Sequence, residues 1–120
     1  MLSVEQNQRV TQTCGNTPAG DLLRRYWQPA ALVDELAGDR PAVSVELFGE
    51  QLVLFRDQKG EYGLLDRHCS HRGADLCFGR LEDGGLRCPF HGRLFDIAGK
   101  CLEQPAEPEN SKFYQKINHK

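Results

Sequence analysis

The stretch "HCSHRGADLCFGRLEDGGLRCPFHG", residues 68–92, gathers three of the chain's four histidines and three of its five cysteines into 25 of 120 positions. Its pattern is Cys69-x-His71, sixteen residues, then Cys88-x-x-His91. Each half supplies one thiol and one imidazole, and each is followed closely by glycine, Gly73 or Gly92. Glycine tolerates positive φ, so these positions let the backbone curl around something bulky. Pro89 is expected to hold the second loop extended just before His91. Soft thiolates together with imidazoles suit zinc, copper or iron–sulfur centres. Structural zinc fingers generally pair like with like, a Cys-x-x-Cys knuckle against a His-x-x-x-His one. Here each loop is mixed. Two such loops approaching from opposite sides can give two cysteines to one metal and two histidines to a second.

Working outward, the flanks read as strands. "AVSVELFG" alternates Val43, Val45 and Leu47 with Ser44 and Glu46, the period of a half-buried strand. A tight turn is expected at Gly49-Glu50, with "QLVLFRD" returning as a hairpin. "QKGEYG" is a second turn and "YGLLDR" a third strand that leads into the metal-ligand stretch; "GLRC" and "RLFDIAGKC" follow it. Short strands split by glycine turns predict an antiparallel all-β domain. Toward the N-terminus, the first 16 residues are polar and are expected to form a short helix or an arm. "TPAGDLLRRYW" predicts a short helix, with Thr17 as cap, Pro18 at the first helical position and Asp21 near the positive end. Leu22, Leu23, Tyr26 and Trp27 are spaced to give it one apolar side, expected to pack against the sheet. Pro29 should end the helix, and "AALVDEL" is expected to continue as a strand. The division that follows is an arm, helix and lead-in over 1–37 and a metal-binding domain over 38–120. No internal repeat is present, and the Pro/Glu stretch at 104–109 is short.

Length and composition bound the function. A chain of 120 residues is one domain at most. With 39% hydrophobic and 27% charged residues, its core is thin, and a metal centre would act as a staple. The net charge of −2 and the lack of a long basic run exclude an electrostatic footprint for nucleic acid. No signal peptide and no stretch of 18 apolar residues is found, so the expected location is the cytoplasm, away from any membrane. In that compartment cysteines are expected as ligands or buried free thiols. Cys14, Cys77 and Cys101 are the spare ones; a Cys77–Cys101 disulfide is the alternative to free buried thiols.

Two cysteines on one iron and two histidines on the other is the ligation of a Rieske [2Fe–2S] centre. Through "CSHRGADL", "GLRCPFHG", "FDIAGKC", "LLRRYWQPAALVDEL" and "CLEQPAEP", the chain from about Thr17 onward resembles the N-terminal domain of Rieske non-heme iron oxygenase alpha subunits of the phthalate-dioxygenase-like group. The resemblance implies an all-β, antiparallel Rieske fold preceded by a short helix. It assigns Cys69 and Cys88 to the inner iron and His71 and His91 to the outer one, bridged by inorganic sulfide. It implies one-electron transfer with no catalytic residue at the cluster. Aromatic catabolism by an oxidoreductase follows from the same likeness, with a reductase or ferredoxin as electron donor. In the respiratory relatives each ligand loop carries an extra cysteine and the second loop supplies hydroxyl donors; here Phe90 stands at the corresponding position and no serine follows Gly92. Fewer donors to sulfur predict a potential toward the low end of roughly −150 to +300 mV.

Other residues of the stretch are read more plainly. His68 should point away from the ligands as an extended-chain neighbour of Cys69. His119, at the tail, is expected to be solvated. Arg72 reads equally as a docking charge or a surface arginine. The family usually has tryptophan after His-Gly, and this chain has Arg93, whose stem can cover only part of an apolar slot. The mononuclear iron site of such oxygenases, two histidines and a carboxylate, is absent from the sequence, so the chain alone should not hydroxylate a substrate. That site is expected on a catalytic domain of the same or a neighbouring subunit. The strands that usually close a Rieske domain are also missing after "PENSKFYQKINHK", which predicts a fragment or shortened product with an open edge. Homo-oligomer formation is left open by the resemblance. The competing readings are a stand-alone Rieske-type ferredoxin, and a structural zinc module without redox chemistry. The lead-in of residues 17–37 favours the oxygenase domain over the free ferredoxin.

Overall fold

The computed structural model describes residues 1–38, 40–82 and 84–120. Among these, two antiparallel sheets carry the fold: β1 (Ala42–Leu47), β2 (Glu50–Arg56) and β3 (Tyr62–Asp66) in the order β1-β2-β3, and β4 (Arg80–Glu82), β5 (Gly85–Arg87), β6 (Leu94–Phe95) and β7 (Cys101–Glu103) in the order β4-β5-β6-β7. The all-β antiparallel expectation is met. No helix among the described residues is long and apolar enough to cross a membrane.

The first hairpin pairs Leu47 with Glu50, so its loop is Phe48-Gly49, one residue earlier than the expected turn. Both residues have positive φ, +52° and +78°. That conformation matches the right-handed twist of the flanking strands. The β2–β3 loop is held by the Asp57 carboxylate, which accepts from the backbone N–H of Lys59 and Glu61, each at 2.8 Å. Alternation along the strands turns Val45, Val53, Phe55 and Leu65 inward. Of these, Val53, Phe55 and Leu65 join Leu76, Leu86, Phe95 and Cys101 in one core that also contains Cys69 and Cys88. The two cysteines expected to bind metal are therefore built into the same apolar cluster that packs the two sheets together.

Two short helices precede the sheets. In α1 (Val4–Thr11), Ser3 and Gln6 form a reciprocal capping box at 3.2 and 2.9 Å, yet no residue of the helix is buried. In α2 (Pro18–Leu23), Thr17 caps the N-terminus and Pro18 occupies the first turn, as expected. The apolar side expected of this helix does not pack: the helix ends at Leu23, while Leu22, Tyr26 and Trp27 stay exposed. Trp27 is fully in solvent, at 102% relative exposure. What ties the lead-in to the sheet is polar. Arg24 donates to Glu50 Oε1 through Nε and Nη2 at 3.0 and 2.8 Å, and to the carbonyls of Thr13 and Gly15 at 3.3 and 3.2 Å. "AALVDEL" is not a strand. Val33–Leu36 forms one 3₁₀ turn in which Glu35 accepts from the Leu32 N–H at 2.9 Å, and only Leu36 is buried.

The C-terminal segment corrects a second expectation. His119 is buried at 3% exposure, its ring 4.8 Å from Phe95. Its Nε2 lies 2.8 Å from the Asp66 carbonyl. A carbonyl only accepts, so Nε2 carries the proton and donates. His119 N–H donates to Gly99 and Cys101 N–H to Ile117. These contacts stitch β3 to the second sheet through the chain end.

Candidate metal centre

The two loops are backbone twins. In the first, Cys69 N–H donates to the Ala74 carbonyl and Gly73 N–H to the Cys69 carbonyl, both at 2.8 Å. In the second, Cys88 N–H donates to Arg93 at 2.8 Å and Gly92 N–H to Cys88 at 3.2 Å. Each cysteine thus receives the N–H four residues on and donates to the carbonyl five residues on. Each loop turns through its glycine, at φ +72° for Gly73 and +76° for Gly92. This is the curl expected of those two glycines. Pro89, in contrast, lies within the turn of residues 89–91 rather than in an extended lead-in; its fixed φ suits a turn's first corner as well as an extended chain.

The twin frames deliver donors in pairs. Cys69 and Cys88 sit on the core side, 3% and 4% exposed. His71 and His91 lie on the outer side with rings edge to face, centroids 4.7 Å apart. Among the described residues no three His, Cys, Asp or Glu side chains converge as a cage for a single ion. The donors come two by two, which is the division a two-metal centre requires. His71 Nδ1 is buried and has no hydrogen-bond partner. A buried nitrogen lone pair without a partner costs free energy unless something else meets it, and a metal ion does so. The donor set therefore fits a [2Fe–2S] cluster.

Local electrostatics agree with burial. Desolvation pushes the Cys69 thiol up; the His71 backbone N–H donating to its sulfur works the other way, and the neighbouring Cys88 adds to the rise. Burial holds the His71 imidazole below its ordinary value, helped by the positive charges of Arg93 and His91. Metals bind neutral imidazole and ionised thiolate, so burial moves His71 toward its binding form.

Sequence reading missed three supporting residues. Arg67 donates to Asp75 Oδ2 through Nε and Nη2 at 2.9 and 2.6 Å, while Asp75 Oδ1 accepts from Cys77 N–H at 2.9 Å. This pair closes the base of the first loop, beside the isolated bridge between His68 and Asp75. His68 itself is exposed, as expected. In the second loop Arg87 donates to the Gly92 carbonyl at 2.7 Å, pairs with Glu103 at 2.6 Å and pairs with Glu82. One arginine thereby joins β4, β7 and the second loop. The only sequence signal for either clamp is an arginine immediately preceding each His-Cys or Cys of the motif. Arg72 and Phe90 are exposed, and the Phe90 ring lies against His91, tilted by 44° at 3.8 Å between centroids. Of the spare thiols, Cys101 is buried, Cys77 half-buried and Cys14 exposed, all free; Cys14 departs from the buried expectation.

Comparison with known proteins converges on this stretch. The profile of the Rieske [2Fe-2S] domain family matches residues 26–115. The chain is 50% identical over 109 residues to the oxygenase subunit of 5,5'-dehydrodivanillate O-demethylase of a Sphingobium species, covering 89% of this chain and 25% of that protein. It is 41% identical over 120 residues to the oxygenase subunit of phthalate 4,5-dioxygenase of Pseudomonas putida, covering 99% of this chain and 27% of that one. Among solved structures, dicamba monooxygenase with non-heme iron and dicamba superposes at a TM-score of 0.66 with 32% identity, over 79% of this chain and 28% of the other. The chain spans about a quarter of the length of the curated relatives it matches.

Proposed function

Because this chain belongs to the Rieske [2Fe–2S] domain family, we propose that it relays single electrons for an aromatic-ring-hydroxylating oxygenase, through a cluster held by Cys69, His71, Cys88 and His91. The observation that carries this reading is the pair of twin loops. They bury two thiols on one side and place two imidazoles, one with an unpartnered Nδ1, on the other. The cluster supplies a one-electron couple whose potential depends on its charge, hydrogen bonds and exposure. The chain's own residues do the rest. Cys69 and Cys88 anchor the site in the core, so water is kept from the sulfur side. His71 and His91 bring the other side to the surface, with His91 and Phe90 exposed to an approaching partner. The Arg67–Asp75 and Arg87–Glu103 clamps fix the loops, so the ligands do not rearrange as the electron comes and goes.

The donor in this reading is a reductase or ferredoxin. The acceptor is a mononuclear iron site in a catalytic domain of the same subunit or of a neighbouring copy. Residues 1–37 serve as lead-in and 38–120 as the electron-transfer unit, working in the cytoplasm. A reductive titration of the iron- and sulfide-loaded chain tests the proposal. Uptake of one electron per chain, lost in Cys88→Ala, supports it. A chain that takes up no electron under loading conditions contradicts it.

A further inference from the structure

Among the described residues, Arg93 is a buried cation without an anion. Its side chain is 8% exposed, its Nε is buried with no acceptor, and no carboxylate among the described residues pairs with it. A lone charge in that position costs several kcal/mol unless a negative charge compensates it. Its backbone locates the site of that compensation: the Arg93 carbonyl closes the second ligand loop onto Cys88 N–H at 2.8 Å. The buried side chain therefore stands beside the second ligand loop, on the core side rather than at the surface.

We propose that Arg93 is an electrostatic tuning residue, whose buried guanidinium stabilises the reduced cluster and raises its reduction potential. This rests on the reading above that the cluster is bound by Cys69, His71, Cys88 and His91. With two thiolates and two neutral imidazoles, the diferric centre is neutral overall, and one added electron leaves one negative charge. Among the described residues Arg93 has no other anion to satisfy, so it favours the reduced form over the oxidised one. In a partly buried site a unit charge a few ångströms away is a substantial term. The arginine offsets part of what the second loop lacks in hydroxyl donors to sulfur.

Redox titration of the loaded full chain, followed by visible circular dichroism, tests this with Arg93→Met, Arg93→Trp and Arg93→Lys. Met and Trp remove the charge, and are expected to lower the reduced-to-oxidised ratio at a fixed potential about tenfold, equal to about 59 mV for one electron. Lys keeps the charge and is expected to stay close to the parent protein. If Arg93→Met does not fold, Arg93→Trp carries the measurement, because tryptophan is the family's usual residue there. Unchanged potentials in the neutral variants, or a Lys variant as low as Met, overturn the tuning role while leaving the cluster assignment intact. A parent chain that binds no cluster overturns both.

Discussion

Asp75 shows how one side chain can hold a metal loop from outside the ligand set. The Arg67 guanidinium beside it lowers its carboxyl to about 2, against the ordinary 3.8, with the Cys77 N–H helping and burial opposing. A carboxylate with a depressed folded-state pKa contributes stability that is complete above its unfolded value and is lost as pH falls toward the folded one. The window is therefore between about pH 4 and pH 2, and the contribution at neutral pH is ~2 kcal/mol. Asp75→Asn is expected to melt earlier at pH 7 by that order, with the difference from the parent shrinking as pH falls through the window. Thermal melts across pH check it; a constant difference at every pH would remove the ion pair as the cause. At this scale the four proposed ligands stand out in the sequence as candidates, because residue type and spacing are local properties. Arg93 and His119 were not. Their burial depends on which distant groups surround them, and neither a charged side chain after His-Gly nor a histidine near the tail signals a core position.

The elements were legible where local chemistry decides them. Thr17-Pro18 marks a helix start, and alternation on both sides of a glycine turn marks a hairpin, although its loop falls on Phe48-Gly49 and not on the expected Gly49-Glu50. Where an element needs a partner, the local pattern misled. The spacing of Leu22, Tyr26 and Trp27 described an apolar side, but nothing among the described residues covers it. Asp34 and Glu35 within "AALVDEL" turned a strand-like run into a 3₁₀ turn, since the Glu35 carboxylate captures the Leu32 N–H. The second sheet holds the second ligand loop through strands of only two or three residues, so its packing is tight. A Cβ at Gly85 would run into the Phe95 carbonyl, whereas at Gly73 it meets open space but a positive φ. Gly85→Ala is expected to cost about 1–3 kcal/mol from overpacking. Gly73→Ala should cost about 1–2 kcal/mol from backbone strain alone. Chemical denaturation of the two variants distinguishes them: cluster absorbance lost with the fold in Gly85→Ala, and retained in Gly73→Ala under native conditions. Cluster absorbance retained in Gly85→Ala as fully as in Gly73→Ala would mean that the β5–β6 contact is looser than the structure has it.

At the scale of the whole chain, the proposed ligation would make sheet packing and metal binding one event. Cys69 and Cys88 belong to the same buried cluster as Val53, Phe55, Leu86 and Phe95, and the chain end returns to lock β3 against that core through His119. A thin core with two cysteines inside it couples folding to loading. The mixed loops made the two-metal reading legible in the sequence. The common backbone frame of the two loops was not, since it depends on hydrogen bonds four and five residues apart that no residue type announces. The central claim is that two histidines and two cysteines of this chain share one two-iron centre. Pulsed electron paramagnetic resonance of the reduced chain, with ¹⁵N-labelled histidine, tests it most directly. The account predicts a Rieske-type signal coupled to two histidine nitrogens, one coupling being lost in His71→Cys and one in His91→Cys. A signal without histidine coupling, or a colourless chain carrying one zinc, would contradict it.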